Sequence, residues 1–130
     1  MDAEGSKNRL ADAIGPFYSA SGVAAWLNLQ ETDVEDRVRN RELFGCVTAD
    51  TQLLLPSAQF NENGSTHPGL HQILDVLATG TSDAWTWGLW LFSRVPGQLD
   101  GMSVMEWLKN ERDVDAVLLL ARNDANSWSA

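Results

Sequence analysis

Residues 83–92 read Asp83-Ala84-Trp85-Thr86-Trp87-Gly88-Leu89-Trp90-Leu91-Phe92 and hold three of the chain's six tryptophans within six residues. On a helix Trp85, Trp87 and Trp90 point in different directions, while Leu89, Leu91 and Phe92 fill most of the remaining circumference, so the segment is apolar nearly all round. A helix of that kind belongs at the centre of a core or beneath a second chain. A membrane-surface anchor requires a basic polar face, which is absent. A platform for stacking nucleic-acid bases requires basic residues between the aromatics, and only Arg94 lies near. The expectation is therefore that Trp85, Leu89, Trp90 and Leu91 are mostly buried, counting any partner subunit. Gly88 in mid-helix suits close approach by another helix.

Working outward, the dominant period on both sides is helical. Leu10, Ala13, Ile14 and Phe17 fall at i, i+3, i+4 and i+7, a first helix that Gly15-Pro16 ends or distorts near its last turn. Ser19 to Leu29, "SASGVAAWLNL", is small and apolar, and Thr32 with Glu35 forms a capping-box pattern that opens a further helix. Two short helices around a tight turn resemble a helix-turn-helix unit. "CVT" and "QLLL" around "ADT" read as a small hairpin between Cys46 and Leu55, closed by Pro56. Pro68 then starts a helix with the stripe Leu70, Ile73, Leu74 and Leu77, stopped by Gly80. After the Pro/Gly loop "SRVPGQLDG", Ser103 and Glu106 form a second capping box, opening a helix with Val104, Trp107 and Leu108 on one side. The last helix, from about Asp113, carries Val114, Val117, Leu118 and Ala121 in register. The predicted architecture is mainly α, with about six helices. Residues 1–60 form the helix-turn-helix-like region with its hairpin, and residues 61–130 a helical C-terminal domain that packs with it as one globular unit.

Composition bounds the function. With 130 residues, 44% of them hydrophobic and 21% charged, the chain is long enough for one core of its own. No apolar run reaches the roughly 18–20 residues of a spanning helix, and "MDAEGSKNRL" has no signal-peptide pattern, so the expected location is cytoplasmic with no membrane partner. The single Cys46 makes no internal disulfide and reads as a small buried hydrophobe. Eighteen acids against nine bases give a net charge of −9, a field that repels nucleic acid and anionic lipid.

Two blocks carry a resemblance to a known family. "WLFSRVPGQLDGMSVMEWLKNERDVDAVLLLA", Trp90 to Ala121, resembles the toxin-binding domain of the Xre/MbcA/ParS antitoxin superfamily in Trp90-Leu91, in Leu99-Asp100-Gly101, in Trp107-Leu108 and in Val114 to Ala121. "LLLPSAQF", Leu53 to Phe60, resembles the segment that joins the helix-turn-helix part to that domain. Val104 stands where the family has a proline, and Asn110, Glu111 and Arg112 where it has a turn glycine. The resemblance implies an antitoxin that neutralises a RES-type, NAD-consuming toxin by covering its active-site cleft with the C-terminal domain and tail. The residues it points to are Trp107, Lys109, Asn110, Arg122, Asn126, Ser127 and Trp128. Trp107 also sits on the apolar stripe, where core is the simpler reading. With the last stripe complete at Ala121, the tail "RNDANSWSA" is expected to add little to the core, leaving Trp128 as an interface anchor.

The resemblance also implies DNA binding through the N-terminal helices, but the charges oppose DNA; a homodimer is the other partner considered, because a helix apolar nearly all round can lie beneath a second chain. The reading end of the recognition helix would hold Asp33, Glu35 and Asp36, and only Arg37, Asn40 and Arg41 could hold phosphates. From Ser19 to Gly45 three bases face five acids, so DNA affinity is expected to be weak. A helix pair kept for packing or dimerisation, with an unknown partner, fits as well. His67, His71 and Asp75 recur at a spacing compatible with zinc, but His67 precedes Pro68 and no third strong ligand is evident. "GTSDAW" lacks the lysine of a phosphate loop, and Cys46 has no base partner in sequence. Neither enzyme activity nor a cofactor is expected.

Overall fold

The computed structural model describes residues 14–129. It is mainly helical, with a small three-stranded antiparallel sheet. In chain order the elements are β1 (Phe17–Ser19), α1 (Ala20–Leu27), α2 (Glu31–Arg39), β2 (Cys46–Val47), β3 (Leu53–Pro56), a 3-10 turn (Ser57–Gln59), α3 (Pro68–Ala78), α4 (Ala84–Phe92), α5 (Val104–Lys109) and α6 (Val114–Ser129). β3 is central in the sheet, with Tyr18 opposite Leu55 on one side and Cys46 opposite Leu54 on the other.

Most of these elements begin where local chemistry starts a helix. The Ser19 hydroxyl accepts from the Gly22 amide at the head of α1, and the Ser103–Glu106 capping box opens α5. Pro68 occupies the first turn of α3, while the His67 imidazole accepts from the Gly69 amide. The expected hairpin is β2–β3, and β3 does end at Pro56.

Several expectations need correcting. Leu10 and Ala13 lie outside the described residues, and Phe17 is not on a helix: it opens β1 and packs edge-on against Trp85 at 6.3 Å between centroids. The cap of α2 is Gln30 with Asp33, not Thr32 with Glu35, so the helix starts earlier and leads with Glu31. Gly80 does not stop α3 by a left-handed turn. A β-carbon there would sit 2.7 Å from the Ala125 Cα, so the residue lets the end of α3 press on the backbone of α6. Gly88 is likewise a close-approach glycine, but its neighbours are the Ile14 and Phe44 side chains, with the Ile14 Cδ1 2.5 Å from where a β-carbon would be.

Two apolar clusters result. The smaller joins Val23, Ala24, Val34, Leu43, Leu55 and Phe60, all from the N-terminal half. The larger packs the α3 stripe Leu70, Ile73, Leu74 and Leu77 against Leu91, Leu99, α5 and the Val117, Leu118, Ala121 face of α6. Ile14, Phe44 and Cys46 cross over from the N-terminal half into this larger cluster.

Within α4, Leu91 is fully buried but Leu89 is 37% exposed, against expectation. Trp85, Trp87 and Trp90 are half-buried at the rim of the larger core, and each indole N–H finds an acceptor: the Val47 carbonyl at 3.1 Å, the Thr81 carbonyl at 3.0 Å and the Asp124 carboxylate at 2.6 Å. An indole is a large apolar body with one polar edge, so a rim position buries the body and satisfies the edge without a desolvation cost. Among the described residues no helix is long and apolar enough to cross a membrane.

Candidate functional site

The residues singled out for partner binding divide between the two ends of α6. Trp107 is buried, donates its indole N–H to the Asp113 carbonyl at 2.7 Å, and lies under the Arg112 guanidinium at 5.1 Å, so it braces the α5–α6 turn. Arg112 in turn pairs with Asp100 at 3.0 Å. Lys109 and Asn110 close α5 and are exposed. Lys109 lines a groove of about 460 Å³ together with Phe60, Glu62, Leu70, Met105 and Glu111. Beside it, the Ser103 amide holds the Glu106 carboxyl below the usual carboxylate range, and Arg94 adds to the effect.

Arg122 and Asn126 lie far from that groove. At about 1.5 Å of rise per residue the two ends of α6 are roughly 20 Å apart. Both residues line a second, open groove between the end of α3 and the outer side of α6, with Val76, Thr79, Asn123 and Ser129. Ser127 is exposed nearby. Trp128 is half-buried against the larger core, because α6 continues unbroken to Ser129 and carries Ala125 and Trp128 inward with it. The tail is thus part of the packing, and the picture of a loosely held Trp128 anchor is corrected.

Sequence reasoning passed over Leu119. It is 59% exposed and sits three residues before Arg122 and seven before Asn126, on the same helix face. The signal was present: in Leu118-Leu119-Leu120, a stripe built from Val117, Leu118 and Ala121 leaves the middle leucine facing outward. Leu119, Arg122 and Asn126 form an apolar, cationic and amide row on one rigid element.

On the N-terminal half the three residues considered for phosphate contact do not act alike. Arg37 and Asn40 are exposed on or beside α2. Arg41 turns away: its Nε donates to the Asp75 carboxylate at 2.6 Å, and its carbonyl lies 2.8 Å from the His71 Nδ1. The other His71 nitrogen lies 3.4 Å from Asp75, so these three side chains tie the end of α2 to α3. Arg39 is paired with Asp36. The remaining exposed face of α2 presents Glu31, Asp33 and Glu35. His67 is spent on its own helix cap, and among the described residues no group of three or more His, Cys, Asp and Glu side chains is placed to hold a metal ion. Cys46 is fully buried; burial, with Asp83 adding, pushes its thiol up to about 12, where it is not a nucleophile at neutral pH.

No protein-family model matches the chain, and no curated protein matches it. Among solved structures the chain is similar to the NMR structure of Rv2175c, with a TM-score of 0.71 at 22% identity, covering 85% of this chain and 81% of that one. At that identity the likeness speaks for the fold.

Proposed function

We propose that this chain is a protein-binding inhibitor of the antitoxin kind, which engages a RES-type, NAD-consuming toxin through the outer face of α6. The observation that carries the reading is the Leu119, Arg122 and Asn126 row, an exposed leucine beside a guanidinium and an amide that line a groove. An apolar side chain ringed by directional hydrogen-bonding groups on a rigid helix has the composition of an interface centre. The resemblance of Trp90 to Ala121 to a toxin-binding domain supports the same half of the molecule, and a net charge of −9 favours encounter with a basic cleft. Trp128 packs into the core beneath α6, whereas Trp107 braces the α5–α6 turn at its other end.

The test is co-expression with the RES-type product of an adjacent gene, reading growth, cellular NAD and co-purification. Leu119→Asp and Arg122→Glu are expected to lower affinity at least about tenfold. Both positions lie outside the core, so Tm should stay within about 2 °C. Full protection by the double variant would refute this face as the inhibitory surface.

DNA binding is the second reading, favoured by the spacing of α1 and α2 and by the hairpin that follows them. The charge of α2 sets it second, because phosphates would meet Glu31, Asp33 and Glu35 first and Arg41 is committed to Asp75. Only Arg37 and Asn40 are left to hold a backbone. Tight, sequence-specific anisotropy changes with a promoter duplex at physiological salt would reverse the order of the two readings.

A further inference from the structure

The loop between the 3-10 turn and α3 holds the chain's one asparagine followed by glycine, Asn63-Gly64. A bridge between Phe60 and Thr66 closes the loop at its base, and the Asn61 amide donates to the Ser65 carbonyl at 2.7 Å. Asn63 is exposed, yet its side chain is held. Its Oδ1 accepts from the Ser65 amide at 3.1 Å and from the Ser65 hydroxyl at 2.7 Å, and the Asn61 Nδ2 donates to that hydroxyl oxygen at 3.2 Å. Two donors therefore converge on one side-chain carbonyl oxygen, the arrangement that stabilises negative charge when a nucleophile adds to the carbonyl carbon. The nucleophile is next along the chain. It is the Gly64 amide nitrogen, which has no side chain beside it to hinder approach.

We propose that Asn63 is a site of self-modification, at which Ser65 assists ring closure between the Asn63 side chain and the Gly64 nitrogen. In the first step the Gly64 nitrogen gives its proton to solvent base and bonds to the Asn63 Cγ. The charge that develops on Oδ1 falls on the two Ser65 donors. The Cγ–Nδ2 bond then breaks, Nδ2 takes a proton from solvent and leaves as ammonia, and a succinimide remains. Water opens that ring at one carbonyl or the other, which leaves aspartate or isoaspartate, with no oxidation or reduction at any step. Both reacting groups lie in one loop, so the addition is intramolecular and needs no second protein. The Gly64 N–H is bonded to the Asn61 carbonyl at 2.9 Å, a contact that must open first and that makes the reaction slow. Either product adds a negative charge to a chain already at −9. Isoaspartate also lengthens the backbone by a carbon beside Gly64, which is buried at a φ of 83° against Leu27. Leu27 packs on the smaller cluster, so the isoaspartate form loosens the end of α1.

Incubation of the full chain in mildly alkaline buffer, sampled over weeks by peptide mass spectrometry and by methyl transfer from an isoaspartate methyltransferase, tests the proposal. Aspartate and isoaspartate are expected at Asn63 in the folded protein, and Ser65→Ala is expected to slow their appearance about fivefold. Ser65 is exposed, so that variant keeps the fold. In urea, where the loop geometry is gone, the parent and Ser65→Ala should react at the same rate. Fresh Asn63→Asp carries the new charge without the longer backbone, and the isoaspartate fraction of the aged parent should melt below it. An unmodified Asn63 in the folded chain would overturn the proposal, as would Ser65→Ala reacting as fast as the parent, or the same slowing in urea. An isoaspartate fraction that melts with Asn63→Asp would overturn the effect on α1.

Discussion

At the scale of single residues, two buried side chains show what packing demands of chemistry. Gln59 is buried, yet its carboxamide accepts from the Phe44 amide at 2.7 Å and donates to the Phe44 carbonyl at 2.6 Å and the Pro56 carbonyl at 3.1 Å. It thereby satisfies backbone groups that irregular chain leaves without a ladder partner. Cys46 makes a sharper prediction, because its thiol is pushed up to about 12 by burial and by Asp83, from an ordinary 9.0. The folded chain therefore holds that proton through a range in which the unfolded chain has released it. Stability is fully present below about pH 9 and falls as pH rises toward the folded value, by about 1.4 kcal/mol per pH unit over that window. Cys46→Ala removes the term at the cost of a small cavity. Urea titrations should show the variant less stable than the parent at about pH 8, with the gap closing or reversing by about pH 11. A constant gap between the two would mean the thiol ionises as easily in the folded chain as in the unfolded one.

At the scale of elements, the end of α6 is where sequence and structure part. Truncation after Ala121 would remove Ala125 from its seat on Gly80, the Asp124 partner of Trp90, and Trp128 from the larger core. Losing the charged hydrogen bond and the half-buried indole is expected to cost at least about 3 kcal/mol, a fall in Tm of about 10 °C. The shortened chain should thus lose stability together with any partner, and a Tm within about 2 °C of the parent would restore the tail to a free role. The helices themselves were readable, because the stripes of α3, α5 and α6 repeat over two turns or more and are opened by Pro68 and the Ser103 box. β1 was not, since three residues are too few for alternation to register and its partner β3 lies more than thirty positions along the chain. The residues expected to meet a partner were drawn from both ends of α6, and their separation could not be read because it depends on α6 running straight through to Ser129. Likewise Arg41 looked available for phosphate because nothing local reveals an ion pair with Asp75, 34 residues away.

At the scale of the whole molecule, the question is whether the halves are separable, since each has its own apolar cluster. Three side chains argue that they are not. Ile14 and Phe44 press on Gly88 from the N-terminal half, and Cys46 joins them inside the larger cluster, all three buried. Bonds running the same way include the Trp85 indole on the Val47 carbonyl and Arg41 on Asp75. A fragment of residues 61–130 would keep the α3, α5 and α6 stripes but lose the cover over the middle of α4. Removing two large side chains from one cluster costs roughly 2–5 kcal/mol for each. A domain of this size has only about 5–15 kcal/mol in all. The fragment is therefore expected to retain helical far-UV dichroism, lose the near-UV signal of its packed tryptophans, and bind a hydrophobic dye, the behaviour of a chain with stripes but no fixed core. In the intact protein the same coupling predicts one transition. Trp26 alone reports on the N-terminal half, whereas Trp85, Trp87, Trp90, Trp107 and Trp128 report on the C-terminal half. Urea unfolding followed by fluorescence should give the same midpoint for the parent and for Trp26→Phe after correction for stability. Two separated transitions, or a fragment with a sharp melt of its own, would show that the α6 surface sits on a domain that folds without its N-terminal half.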